Sequence, residues 1–414
     1  MTLIQNERVS KMIQKHLDVR VNEKREFGEV FTPINIVLET LKLPKSCWTN
    51  PNLKWLDPAC GIGNFPVAVY YKLMDGLKQK IKNKKARSKH IIENMLYMIE
   101  LNQTNVRKCR QIFKMISPDS KPNIKKCSYF VFKPDFEFDI IMGNPPWNQS
   151  RKEGEVGRNG VLWNKFILLA FKMLKPKGFL CFITPSGWRG PGRYSVLWDM
   201  MSSKQIKYIH IFTKAQAQAI FNISSRFDIF VIQNKPNVAK TEVIDEYGKR
   251  HRLNLKTWPF LPNSAYIEIK SILTTRDNGI RIIYDTYYHT QWKYTNHTKT
   301  AKFKYPIVHS IKMDGLRYIY SSKKKIHFGV PKVILSHNEH QYGFEEQNDY
   351  TGKYGMSEVS FGIPIKTKKE GDKILKAINS VKFKKILVGA KWSVFQTPHH
   401  IFEYFKKDFY KHFN

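Results

Sequence analysis

Carboxylates are scarce in this 414-residue sequence: 34 Asp and Glu stand against 70 Lys and Arg, a formal net charge of +36. Such an excess repels itself unless it faces a polyanion, so it disfavours cationic partners and points to nucleic acid ahead of an anionic membrane surface. Cysteine is also rare. Cys47, Cys60, Cys109, Cys127 and Cys181 include no C-x-x-C pair, which argues against a disulfide framework and against a zinc site. Long apolar runs are missing as well. A stretch such as Phe166–Phe171 falls far short of the ~20 residues that span a bilayer, and the polar N-terminus lacks the apolar core of a signal peptide. The expectation is a soluble protein of a reducing, cytoplasmic compartment, with no metal and no membrane partner.

What the chain does have is material for cores: 42% hydrophobic and 14% aromatic residues over a length that suits two domains. Residues 1–26 read as a basic N-terminal segment, helical near Val9–Leu17. From 27 to 235, short apolar runs alternate with helical patterns. Strands are expected at Trp55–Leu56, Asn94–Ile99, Phe138–Met142, Gly178–Ile183, Ile206–Phe212 and Asp228–Ile232, with a third strand near Ile124–Phe130. Helices are expected at Ile34–Leu41, Phe65–Lys78, Thr104–Met115 and Trp163–Leu174. That alternation predicts an α/β fold with a doubly wound, mostly parallel sheet of seven strands. The composition turns polar between Gln233 and Thr257, the expected boundary, and 258–414 carries aromatic and Lys-rich segments without α/β alternation, an α+β region. The run Lys78–Lys89 reads as a solvated helix end and loop.

Three strings carry chemistry. Asp57-Pro58-Ala59-Cys60-Gly61-Ile62-Gly63-Asn64 lies where a strand ends and a helix begins, the place where doubly wound sheets bind ligands. Gly61 and Gly63 allow close backbone approach, and the helix N-terminus behind them offers free N–H donors. Glu100 closes the next strand, where an acid accepts hydrogen bonds from ribose hydroxyls. Then Phe138–Met142 runs through Gly143 into Asn144-Pro145-Pro146-Trp147. Two consecutive prolines stop the ladder and stiffen the loop. An aryl amine is a poor nucleophile because its lone pair is delocalised into the ring. Carbonyl oxygens from Asn144 and Pro145 can accept both amine hydrogens and draw that lone pair towards a methyl donor, with no call for a metal. Trp147 would stack on the base once it leaves the duplex.

Preceded by Gly28-Glu29-Val30-Phe31-Thr32-Pro33, these strings resemble, over roughly residues 20–235, the amino-methyltransferases of restriction–modification type. Within that group the chain is similar to the gamma-arrangement N6-adenine DNA methyltransferases, the Taq-like and Eco57I-like branch. The resemblance implies a Rossmann-like methyltransferase domain over 27–235 that uses S-adenosyl-L-methionine, and a DNA target-recognition domain over 258–414. It assigns the cofactor to Phe31, Thr32 and Pro33, to Asp57, Ala59, Gly61 and Gly63, to Glu100 and to Asn144. It makes Asn144, Pro145, Pro146 and Trp147 catalytic, with Trp147 in place of the usual Tyr or Phe. Phe227 is the expected second aromatic against a flipped adenine. One departure stands out: the family's third-strand acid is missing from Ile124–Phe130, so Cys127 or Ser128 takes that position, or Asp135 is displaced into it.

The implied partners are double-stranded DNA and a separately encoded restriction endonuclease. Rival readings keep the fold and change the outcome: RNA adenine or the glutamine amide of release factors as substrate, methylation of cytosine N4, or a catalytically dead nucleic-acid-binding protein. Lys332, Ser336, His337, Asn338 and Lys353 are candidates for base contacts. Because lysine–phosphate contacts release counterions, DNA affinity should fall steeply with salt, about 10³-fold or more between 50 and 200 mM if six or more phosphates are engaged. A flat response in a salt series of binding isotherms would remove the polyanion explanation of the charge.

Overall fold

The computed structural model describes residues 32–149, 160–192, 194–337, 343–392 and 399–413. Phe31, Asn338 and the helix expected near Val9–Leu17 lie outside them. The chain divides into two compact units, the first formed by 1–188 with 199–257 and the second by 189–198 with 258–414.

The first unit is one sheet of nine strands: β1 (Trp55–Asp57), β2 (Leu96–Glu100), β3 (Asn123–Lys126), β4 (Phe138–Gly143), β5 (Leu174–Pro185), β6 (Lys204–Phe212), β7 (Phe227–Pro236), β8 (Thr241–Ile244) and β9 (Arg250–Leu253). Their order is β3-β2-β1-β4-β5-β7-β6-β8-β9. Strands β1 to β5 are parallel, and β7 inserts antiparallel between β5 and β6. The order reverses direction between β1 and β4, which opens a crevice beyond the carboxyl ends of the strands. The central strands read as almost unbroken apolar runs because helices cover both faces; the first six residues of β7, Phe227 to Ile232, are all buried.

The helices of this unit include α1 (Ile34–Thr40), α2 (Lys45–Thr49), α3 (Asn64–Gly76), α4 (Lys84–His90), α5 (Gln103–Ile116), α6 (Trp163–Met173) and α7 (Lys214–Phe221). In α5, the Asn102 side chain accepts the Thr104 N–H to cap the first turn. Val106, Cys109, Ile112 and Phe113 form its buried stripe. Gly63 precedes α3 in a left-handed conformation, φ +102°, and a Cβ there would sit 2.8 Å from Cys109 Sγ. Packing of α5 thus adds a second reason for glycine at the turn.

The sheet exceeds the expected seven strands by the β8–β9 hairpin, which occupies part of the stretch read as a polar boundary. Only one face of β8 is fully covered, so Glu242, Arg250 and Arg252 alternate with inward residues and make the segment look like a linker. Asp245 turns the hairpin by accepting the N–H groups of Tyr247 and Lys249. The run Lys78–Lys89 also holds more than expected: it contains most of α4, with Arg87 buried and donating to the carbonyls of Ile81 and Lys82.

The second unit mixes helices with two small sheets. One has the order β10 (Thr295–Asn296), β12 (Gly315–Ser321), β11 (Tyr305–Lys312), β15 (Gly355–Met356); the other is β14 (Asn348–Asp349), β13 (Lys332–Ser336), β16 (Ser360–Pro364). Helices α8 (Tyr266–Ile272), α9 (Lys368–Asn379) and α10 (Val381–Gly389) complete it. At its centre Lys332 is fully buried and donates to Asp349 at 2.6 Å and to the carbonyls of His327 and Val330. Asp349 also accepts the N–H groups of Lys353 and Tyr354. This corrects the sequence reading. Lys332, Ser336 and His337 are interior, because strand β13 is covered on both faces, and only the Lys353 side chain is exposed.

Removing one partner of a buried pair leaves the other charge uncompensated. Lys332→Ala should therefore cost roughly 3–5 kcal/mol in urea unfolding of the second unit. Combining Lys332→Met with Asp349→Asn, which keeps an acceptor for the Lys353 and Tyr354 N–H groups, should recover part of it. A loss below about 1 kcal/mol would show that solvent reaches the pair.

Candidate active site

The carboxyl ends of β2, β1 and β4 lie side by side, bringing Glu100, Asp57 and Asn144 to one edge of the sheet. Asp57 is central, 1% exposed, and its Oδ1 accepts the Ala59 N–H at 3.1 Å. A Cβ on Gly143 would stand 3.0 Å from that oxygen, so glycine lets β4 close against it. Burial pushes the Asp57 carboxyl up to about 8; the nearby Glu100 charge adds to this and the Ala59 N–H opposes it.

Glu100 ties the glycine turn to the end of β2. Its Oε2 accepts the Gly61 N–H at 2.8 Å and its Oε1 the Asn102 N–H at 2.7 Å. Gly61 has φ +54°, and nothing lies within 4 Å of the place where its Cβ would be. The backbone there is open to a ligand. The Cys60 N–H donates to the carbonyl of Ile99, a second tie between the same two segments.

The side chain of Asn144 is held at both ends. Its Nδ2 donates to Thr32 Oγ1 at 3.2 Å, and its Oδ1 accepts the Trp147 indole N–H at 3.1 Å. Thr32 is buried, and its carbonyl accepts the Asn64 Nδ2 at 2.9 Å. Pro33 follows, and its carbonyl accepts the N–H groups of Ile36 and Val37 to begin α1. Pro145 is buried, while Pro146 and Trp147 are half-buried. The indole packs edge-on to Phe221 at 6.3 Å and tilted to Phe227 at 6.2 Å.

Phe227 does not offer the face expected of it. The ring is fully buried and stacks on Phe212 at 4.3 Å and 8°. Opening β7 at a covered position turns it into a wall behind Trp147 instead of an open stacking surface. At the third strand, the Cys127 N–H donates to the Glu100 carbonyl and the Ser128 hydroxyl accepts the Phe130 N–H of its own turn. Asp135 is exposed. Two apolar side chains that sequence reading passed over stand here: Leu101, directly after Glu100, is 64% exposed, and Phe130 is 44% exposed. An apolar residue following the strand-ending acid was the available signal for Leu101. The Asn64 and Thr32 contacts had none, since they join segments 32 residues apart.

Residues 41–219 match the family model described as Eco57I restriction-modification methylase. The resemblance is to that family. A protein of Mycoplasma pneumoniae described as an uncharacterized adenine-specific methylase is 26% identical to the chain over 262 residues, 44% of this chain and 62% of that protein. The chain therefore spans less than two thirds of the relative's length. Among solved structures, the type IIL restriction-modification enzyme MmeI in complex with DNA aligns at TM-score 0.51 and 12% identity, over 89% of this chain and 66% of the other. At that identity the likeness is one of fold. Glu100, Asp57 and Asn144 all belong to the Eco57I-like segment, whereas Thr32 and Pro33 precede it and Phe227 follows it.

The raised Asp57 carboxyl has a pH signature. An unfolded aspartate titrates near ~4, whereas Asp57 holds its proton up to about 8. The folded state then binds the extra proton between those values, so the ligand-free protein loses stability as pH rises from ~4 to ~8. Asp57→Asn should gain stability over the wild type as pH rises from 5 to 9 in chemical unfolding. Parallel pH profiles for the two proteins would show that Asp57 is not the titrating group.

Proposed function

We propose that the protein transfers a methyl group from S-adenosyl-L-methionine to N6 of an adenine flipped out of double-stranded DNA. The observation that carries this reading is the Asn144–Pro145 corner at the end of β4, where the Asn144 oxygen accepts one hydrogen bond among the described residues, beside Asp57 and Glu100.

The residues suit the cofactor. Asn64 Oδ1 is buried with no hydrogen-bond partner among the described residues, next to the glycine turn, and an ammonium group there would satisfy it. Glu100 closes β2 beside the glycine turn, where a carboxylate accepts hydrogen bonds from a ribose diol. Leu101 and Phe130 offer exposed apolar surface for a planar ring. A cationic group brought near Asp57 would favour its ionised form and offset the cost of its burial. Cys127 and Ser128 flank the ring site through backbone, with the Ser128 hydroxyl engaged in its own turn. Thr32 and Pro33 stand in the segment that the resemblance assigns to the methionine end of the cofactor.

S-adenosyl-L-methionine supplies an electrophilic methyl carbon whose bonding pair remains on sulfur. The protein's part is to make the amine nucleophilic. Asn144 Oδ1 and the Pro145 carbonyl accept the two N–H bonds, which concentrates the lone pair on nitrogen as the new N–C bond forms. The nitrogen then carries a positive charge and sheds one proton, held by these same carbonyls until water removes it. Pro146 keeps the corner rigid, and Trp147 stacks on the extruded base.

The charge distribution supports a nucleic-acid substrate. Thr295 and Tyr305 both pair with Ser321, which gathers residues 293–294, 302–304 and 323–325 at one end of a sheet. Lys323 Nζ sits 3.7 Å from the Tyr294 ring centroid and Lys293 Nζ 5.2 Å from it. No Asp or Glu occurs between Asp285 and Asp314, and Trp292 nearby is 41% exposed. Lysines interleaved with aromatics suit phosphates and bases together. This makes 258–414 the target-recognition region of the reading, and a separately encoded restriction endonuclease fits as the enzyme's companion. MmeI, solved with DNA, has the same fold.

Incubation with methyl-labelled S-adenosyl-L-methionine and duplex DNA should yield N6-methyladenine on nucleoside analysis. Asn144→Ala should lower the rate about 10²–10³-fold, the usual worth of one group of this kind. Label in N4-methylcytosine, RNA or protein alone would overturn the substrate, and no label anywhere would favour a dead fold.

A further inference from the structure

We infer that Thr32 and the Trp147 indole N–H form a clamp that sets the orientation of the Asn144 amide before the base arrives, which makes Thr32 a positioning residue for methyl transfer. The inference rests on Asn144 being the acceptor of the adenine amine. An indole N–H can only donate. The amide atom 3.1 Å from Trp147 Nε1 must therefore be the oxygen, and the NH₂ must face Thr32 Oγ1 at 3.2 Å. Rotating the amide by half a turn would set two donors against each other at Trp147. One orientation is selected by chemistry.

Thr32 can hold its end because it is itself fixed. Its carbonyl accepts Asn64 Nδ2, the residue is buried, and Pro33 restricts the chain directly after it. Asn64 is the first residue of α3, behind the glycine turn. The orientation of the reactive amide is thereby tied to the wall of the cofactor crevice. On the Asn144 oxygen, one lone pair goes to the indole and the second is left for the amine N–H. Phenylalanine at 147 would stack on a base but has no N–H to give, and a tyrosine hydroxyl sits at the far end of its ring. Tryptophan here does two jobs at once.

The full chain carrying Trp147→Phe, Thr32→Val, Thr32→Ser or Trp147→Phe with Thr32→Val separates these roles. The readouts are the single-turnover methylation rate at saturating DNA and S-adenosyl-L-methionine, the Kd of that cofactor, and 2-aminopurine fluorescence as a report of base flipping. Trp147→Phe and Thr32→Val should each lower the single-turnover rate about 3- to 10-fold, the worth of one neutral hydrogen bond. For Trp147→Phe the cofactor Kd and flipping signal should stay within about twofold of wild type, inside that one-bond range. Thr32→Val is read at saturating cofactor, so that any loss of binding does not enter its rate. Thr32→Ser should recover most of the rate lost in Thr32→Val, and the double variant should lose less than the product of the single losses, since both act on one amide. Thr32→Val that weakens the cofactor yet keeps the saturated rate would overturn the clamp, as would a Trp147→Phe loss that follows the flipping signal or fully multiplicative effects. Wild-type rates in both singles, with Asn144→Ala inactive, would remove the clamp alone. Activity retained in Asn144→Ala would remove the clamp together with the proposed reaction centre.

Discussion

The hydrogen bonds that the Gly61 and Asn102 amides donate to Glu100 hold the site together. Without them the Cys60–Ile99 backbone bond alone would tie the glycine turn after β1 to the end of β2. With them, the backbone that faces the crevice is fixed to the sheet, and α3 starts from Gly63, packed closely against Cys109. Asn64, the next residue, reaches Thr32, and Thr32 reaches Asn144. A chain of short polar contacts thus runs from an acid on β2 to the loop after β4, passing over β1. Each contact is modest in energy, but the Asn64–Thr32 bond is buried, so water cannot readily replace it.

Asp57 sits under that chain and is its costly element. A carboxyl enclosed on all sides with one N–H for company stays protonated to about pH 8. Such a group is poorly matched to a ligand-free state and better matched to one that brings positive charge. A ligand bringing positive charge would offset that cost, so under the proposed function the empty site gives up stability that binding would return.

Much of the first unit could be read from pattern. Parallel strands covered on both faces declare themselves as apolar runs, and Trp163–Leu174 needed only a one-residue trim to become α6. Asp57, Glu100 and Asn144 were legible because strand-end chemistry is local in sequence. The β8–β9 hairpin was not, since an edge ribbon with one wet face has the composition of a linker. Lys332 misled for the opposite reason: a lysine is ordinarily at the surface, and only its tertiary partner Asp349 makes an interior position tolerable. Phe227 was misjudged because sequence locates a ring at a strand end without saying which face Phe212 already covers.

The two outer strands of the large sheet have a consequence of another kind. At one edge β3 ends in the exposed pair Lys125 and Lys126, and at the other β9 presents Arg250 and exposed Arg252. A strand with free backbone groups is a template for any other extended chain, and like charges at its rim are a common deterrent. The excess of positive charge that suits a polyanion therefore also keeps copies of this sheet from adding to one another. A variant that neutralised these four residues would pair more readily with itself, whatever it did to nucleic acid.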